Sequence, residues 1–138
     1  MKKVLVAGTF DFLHPGHVDL FRQAKARGDF LVVVIARDAT VEKIKGQKPF
    51  FPEAKRLDAV VKQKLVDQAR LGNVGGPLWD VLLEEKPDVV VLGYDQRVDE
   101  SEIQFFARSH GLSLIVVRAK ALQPEKFKSS RVKAHLGI

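Results

Sequence analysis

The unbroken apolar run Phe30-Leu31-Val32-Val33-Val34-Ile35-Ala36 sets the strongest limit on how this chain can fold. It is far too short to span a membrane, and its β-branched content suits a strand. Apolar side chains at every position, rather than at every second one, call for cover on both faces. That is the condition of a central strand in a parallel sheet. Lys3 to Ala7 and Val89-Val90-Val91-Leu92 repeat the pattern, Ala69 to Leu71 reads as a short strand, and Leu112 to Val117 as the last. Helical spacing fills the gaps between them. Val18, Phe21 and Ala24 form one face, ended by Gly28; Leu57, Val60, Val61 and Leu65 form another. Leu78, Val81 and Leu82 mark a helix stopped near Pro87, and Ile103, Phe106 and Ala107 one closed by Gly111. Arg37 to Lys48 is polar and reads as a mobile surface segment. Pro49-Phe50-Phe51-Pro52 reads as a rigid extended link, with Pro52 opening the next helix. With no repeat, low-complexity tract or linker, the expectation is one α/β domain over residues 1–138, built on a parallel sheet.

The chemistry concentrates in Gly8-Thr9-Phe10-Asp11-Phe12-Leu13-His14-Pro15-Gly16-His17, between the first strand and the first helix. In an open parallel sheet such a turn lies at the carboxyl edge, where ligands bind. The helix that follows points its free N–H groups into the turn and favours anions. Gly8 lets the backbone approach a phosphate or base. Thr9 offers a hydroxyl, and Pro15 suits a helix start. His14 and His17, three apart, face one side of a first helical turn. Two such donors can hold phosphate oxygens as charge builds in a phosphoryl-transfer transition state. A lone His-x-x-His would more simply be two solvated histidines or half a metal site; the full pattern after a strand favours the phosphate reading.

These residues resemble the Gly-Thr-Phe-Asp-x-x-His-x-Gly-His signature of the cytidylyltransferase-like nucleotidyltransferases, and match it at every defined position. The resemblance implies a Rossmann-like three-layer sandwich, the nucleotidyltransferase fold. It also implies that His14 and His17 contact the triphosphate and stabilise the pentavalent α-phosphorus. Ser129-Ser130-Arg131, after the last strand, is similar to the family's serine motif, which grips the β- and γ-phosphates. Alone, it would be a helix cap beside a solvated arginine. Gly93-Tyr94-Asp95, at a strand end, matches the family's Gly-x-Asp. Arg118 resembles the arginine that opens the family's Arg-Thr-x-Gly-Ile-Ser-Thr-Thr motif, but Ala119 and an insert, Lys120 to Lys128, follow it here. On this basis Gly8, Thr9, Phe10, His14, Gly16, His17, Gly93, Tyr94, Asp95, Arg118, Ser129, Ser130 and Arg131 are expected on the nucleotide. A lysine from the segment after the second strand closes over the phosphates in this family. Spacing does not choose among Lys43, Lys45 and Lys48. Lys45 is taken as catalytic with His14, His17 and Arg131, and Lys48 is placed on the acceptor side with Asp11, Arg37, Asp38 and Arg56. Asp11 is also the candidate ligand for Mg²⁺ or a similar divalent ion on the phosphates; its plain reading is a turn aspartate.

The segment Ala36 to Gly46, with Lys48-Pro49 and Leu92-Gly93-Tyr94-Asp95-Gln96, looks most like archaeal-type FAD synthetases, which join FMN to the AMP of ATP. Glycerol-3-phosphate cytidylyltransferase, which uses CTP, is the next resemblance. A non-catalytic nucleotide-binding module is the alternative of another class. Leu65-Val66-Asp67 resembles a family segment that often serves the acceptor or a dimer contact, so a homodimer is implied.

Composition agrees. The net charge of +6 suits anionic substrates. It would also suit nucleic acid, but the basic residues are spread along the chain with only one Tyr and one Trp, so that partner is disfavoured. There is no cysteine, which rules out a disulfide, a thiolate metal site and a cysteine nucleophile. Met-Lys-Lys before Val4 is too short a lead for a signal peptide, and no run approaches a membrane span, so a cytoplasmic location is expected.

Overall fold

The computed structural model describes residues 1–75 and 78–121. The chain runs β1 (Lys3–Gly8), α1 (Pro15–Lys25), β2 (Phe30–Ile35), α2 (Asp38–Lys45), α3 (Glu53–Val61) and β3 (Gln68–Leu71). A single 3-10 turn, Leu78–Asp80, then leads into α4 (Val81–Glu85), β4 (Val89–Leu92), α5 (Glu100–Ser109) and β5 (Ile115–Arg118). The strands form one five-stranded sheet in the order β3-β2-β1-β4-β5, and every pairing is parallel.

The apolar runs explain the layers. Side chains alternate across a strand, so a run apolar throughout feeds two cores. Val4 and Val6 of β1, with Leu31, Val33 and Ile35 of β2, pack on one face with Phe21 and Ala24 of α1 and Val60 of α3. Leu5, Val32 and Val34 pack on the other with Val81 and Leu82 of α4 and Ile103 and Ala107 of α5. All the residues of β4 are buried as well. The three-layer sandwich is therefore present, with the sheet between α1/α3 and α4/α5.

From β1 the chain steps outward to β2 and β3, then crosses to β4 and β5 on the other side. The crevice between β1 and β4 is thus the topological switch point, where ligands of open α/β sheets bind. The turn after β1 and the Gly93 turn after β4 lie there, side by side on the carboxyl edge.

Three expectations are revised. The helix expected to carry Leu57, Val60, Val61 and Leu65 on one face ends at Val61, which is exposed, so Leu65 lies past it. The last strand runs Ile115–Arg118 rather than Leu112 to Val117. The segment expected to be mobile holds a helix, α2, over Asp38–Lys45. Only Val41 of it is buried, so its apolar signal is thin. Its support is non-local. The Asp38 amide donates to Glu53 Oε1 at 2.8 Å, and the Glu53 amide donates to Asp38 Oδ2 at 3.3 Å. The first residues of α2 and α3 thus satisfy each other's orphan N–H groups. Gly46 ends α2 in the left-handed conformation, with φ 81°, which glycine adopts without strain. No helix among the described residues is long and apolar enough to cross a membrane.

Candidate active site

The histidine turn is held from within. Phe10 has φ 54°, an uncommon value for a non-glycine residue, and its ring is buried against Phe21 and the edge of His17. The ring also covers Gly8, where a Cβ would lie 2.9 Å from Cζ of Phe10. Gly8 is therefore required by Phe10 itself, whatever ligand occupies the edge.

His14 is the N-cap of α1, with Pro15 next at the helix start it suits. Its Nδ1 accepts from the Gly16 amide at 3.0 Å. An Nδ1 that accepts leaves the neutral ring's proton on Nε2, so the imidazole is set as a donor at its far corner. The rings of His14 and His17 stack with centroids 4.0 Å apart. Both imidazoles thus stand side by side at the helix N-terminus, as their spacing predicts.

The β2 flank of the turn carries the lysines. Lys45 Nζ donates to Thr9 Oγ1 at 3.2 Å, which brings it onto the turn. Lys43 and Lys48 are exposed, as Lys45 is, and Lys48 lies near enough to Asp38 to lower its pKa. The Thr9 contact is what sets Lys45 on the turn.

Asp11 accepts the amides of Phe50 at 2.6 Å and Phe51 at 2.8 Å, one on each carboxylate oxygen. It clamps the 49–52 link to the turn. Among the described residues there is no group of three or more His, Asp or Glu side chains that could hold a metal ion.

Arg56, expected on the acceptor side, has a side chain with no exposed surface. Its Nε donates to the Phe51 carbonyl at 3.0 Å, and its Nη1 to the carbonyls of Thr9 at 2.9 Å and Ala36 at 2.7 Å. Its Nη2 donates to Asp38 Oδ1 at 2.7 Å. One guanidinium thus fixes the chain just past β1, just past β2, the aromatic link and the start of α2. Buried charge is tolerated only with such full pairing. Arg37 caps the same network, donating to the Gly72 carbonyl at 2.7 Å and to Glu53 Oε2 at 3.1 Å. Burial pushes the Asp38 carboxyl up. The Arg56 hydrogen bond, the Glu53 amide and the charges of Arg56 and Lys48 outweigh it, leaving the pKa below its ordinary value.

The β4 flank is built differently. Gln96 accepts from the Gly93 amide at 2.7 Å and donates to the Ala7 carbonyl at 2.9 Å, tying the two strand ends across the switch point. Arg118 donates to the carbonyls of Gly93 at 3.0 Å, Gln96 at 2.7 Å and Val98 at 2.7 Å, and pairs with Glu100. These contacts tie the 93–98 loop to the end of β5. Tyr94 and Asp95 stand exposed at the loop's tip. Gln96 was read from sequence only as the last residue of the Leu92–Gln96 resemblance, without a role, and Glu53 was not singled out. The visible signal was an acidic residue at the start of each of two helices, but nothing local paired them.

Residues 8–17, 45 and 93–96 thus meet on one edge. Ser129, Ser130 and Arg131 lie outside the described residues.

Known proteins resemble the chain over most of its length. The cytidylyltransferase-like family model matches residues 5–135. An FAD synthase of Aciduliprofundum boonei is 46% identical over 120 residues, covering 87% of this chain and 79% of that one. An FAD synthase of Thermoplasma volcanium is 39% identical over 133 residues, covering 96% of this chain and 92% of that one. The crystal structure of a lipopolysaccharide core biosynthesis protein from Thermoplasma volcanium superposes with TM-score 0.84 at 40% identity, over 89% of this chain and 99% of that one. A pantothenate synthetase of Thermus thermophilus, 17% identical, superposes with TM-score 0.59 over 91% of this chain and 58% of that one, a likeness of fold alone.

Proposed function

This chain belongs to the cytidylyltransferase-like family, and on that premise we propose that it transfers AMP from ATP to FMN, giving FAD and pyrophosphate. The observation that carries the reading is the stacked His14–His17 pair at the N-terminus of α1, in a chain whose relatives named above are FAD synthases. An FMN phosphate oxygen attacks the α-phosphorus in line. One P–O bond forms, the bond to the β-phosphate bridging oxygen breaks, and pyrophosphate leaves. No protein nucleophile is needed, because the attacking oxygen is already anionic.

The protein's part is then positioning and charge stabilisation. The two imidazoles and the helix N-terminus face the triphosphate, and Lys45 closes from the other side of Thr9. Ser129, Ser130 and Arg131 belong to this proposal as the grip on the β- and γ-phosphates. Gly93, Tyr94 and Asp95 take the nucleoside. Arg37, Asp38 and Arg56 act on the acceptor by shaping its flank, with Lys48 at its rim.

A divalent ion belongs to the proposal as a companion of the triphosphate. Such ions are bound largely through substrate phosphates and water. Asp11 already accepts two amides, so the described residues form no resident cage and no step is routed through one. A homodimer is a further part of the proposal, checked by sedimentation.

The test is a matrix of ATP and CTP against FMN and glycerol 3-phosphate with Mg²⁺ present, products followed by chromatography. FAD from ATP and FMN alone is the expected result. A CDP-alcohol without FAD would replace this reading with glycerol-3-phosphate cytidylyl transfer, and no product in any arm would leave a binding module.

A further inference from the structure

The rings of Phe12, Phe50 and Phe51 form a closed trio. Centroids lie 5.2 Å apart for Phe12–Phe50, 5.2 Å for Phe12–Phe51 and 4.8 Å for Phe50–Phe51, the last at 81°. Two of these rings are partly covered, but Phe50 remains 71% exposed. A single exposed apolar residue is ordinary. This one is unusual in how firmly it is held. Prolines flank Phe50 and Phe51, both their amides are pinned to Asp11, and Arg56 binds the Phe51 carbonyl. The ring is thus presented to solvent on a fixed mount, two sides supported by other rings.

Its place is also informative. Phe12 precedes His14 in the same turn, and the link follows Lys45, which reaches Thr9. The trio therefore belongs to the β2 flank of the histidine turn. The Gly93–Gln96 loop, assigned to the nucleoside, is on the β4 flank. With the nucleoside on the β4 flank, an acceptor that enters in line, opposite the leaving pyrophosphate, has the β2 flank left for its remaining bulk, toward Phe50. A flavin supplies a planar fused ring on a chain ending in that phosphate. A held aromatic face is what such a ring stacks on, because little side-chain entropy is left to lose.

We propose that Phe50, backed by Phe12 and Phe51, stacks on the isoalloxazine ring of the acceptor and selects a flavin phosphate over small phosphate acceptors. This rests on the FMN reading above.

The test separates the two ideas. FMN binding is titrated by its fluorescence, independently of turnover, and KM values for FMN and ATP are measured in the wild type, Phe50→Ala and Phe50→Trp. Removing one ring from a stack should weaken FMN binding and raise its KM by about tenfold in Phe50→Ala, with KM for ATP within about twofold. Phe50→Trp should restore FMN affinity and quench bound FMN more strongly, because an indole in contact with an excited flavin donates an electron to it. A mere packing role would produce neither restoration nor quenching. Unchanged FMN affinity in Phe50→Ala would overturn the stacking role while leaving FAD formation intact. A loss shared equally with ATP would assign Phe50 to the integrity of the link and overturn it too. FMN binding without FAD formation in the wild type would overturn the reaction but not the stack. Failure of the wild type to bind FMN would overturn both.

Discussion

The ring of Phe10 lies across Gly8 so closely that a Cβ at position 8 would stand 2.9 Å from its Cζ and 3.0 Å from its Cε2. Phe10 cannot yield easily. It is 5% exposed, held against Phe21 and His17, and already at positive φ. Gly8→Ala should therefore overpack the turn and cost about 1–3 kcal/mol of stability. Because the ring that must move touches His17, turnover should fall along with it. Denaturant unfolding and steady-state kinetics check the pair, and wild-type values in both would show that the ring moves freely.

The two histidines should separate on substitution. His17→Ala removes one donor to the reacting phosphate and should lower kcat by about 10²–10³-fold, more than it raises KM. His14→Ala should do the same and also lose a helix cap, costing about 0.5–2 kcal/mol. Asparagine caps helices well but offers a different donor, so His14→Asn should recover stability without recovering turnover. Equal recovery of both would assign His14 to capping alone.

Arg56→Ala leaves the carboxylate of Asp38 and the carbonyls of Thr9, Ala36 and Phe51 without their common partner. Arg56 has no exposed side-chain surface but Asp38 keeps a third of its own, so the cost should lie at or below the low end of the about 3–5 kcal/mol of a fully buried pair. Lysine has no planar fork and cannot reach these acceptors together, so Arg56→Lys should recover little. Thermal melts read the loss. A variant that melts normally but has a raised KM for the acceptor would show that Arg56 touches substrate directly.

Stability should decline in acid, for identifiable reasons. Asp67 is held below its ordinary 3.8 by the Lys25 hydrogen bond and the Leu31 amide, against burial. For Asp38, burial is the largest influence and raises the pKa, but Arg56 and the Glu53 amide bring it below 3.8. For Glu85 burial again pushes upward, and Lys3 and Arg70 bring it below 4.5. Each folded value lies under its unfolded one. The stabilisation is therefore complete above about pH 5, and is lost as pH falls below 4.5 and 3.8 and through the folded values. Asp67→Asn should flatten part of that slope in urea titrations run across this range; an unchanged slope would exclude Asp67 from it.

The sheet was legible because its signal is local. Val4 to Val6, Leu31 to Ile35 and Val89 to Leu92 are apolar at every position, and only cover on both faces explains that. The histidine turn was legible for the same reason, being contiguous. What stayed hidden depends on partners far along the chain. Helix α2 has one buried residue and relies on Glu53, fifteen positions from Asp38. Arg56 could be noticed as an arginine near the motifs, but its burial follows from four acceptors that only the fold assembles. Gln96 joins Gly93 to Ala7, a carbonyl 89 positions earlier in sequence.

The Arg56 contacts also impose an order in time. Thr9 and Ala36 precede it by 47 and 20 positions. In synthesis the histidine turn, β1, α1 and β2 are all made before residue 56. The Ala36 amide on the Gly8 carbonyl and the β1–β2 pairing set the two strand ends by themselves; the guanidinium adds the tie from those ends to the aromatic link and to α2. The turn is therefore made ahead of the one buried arginine that ties it to the aromatic link and to the start of α2.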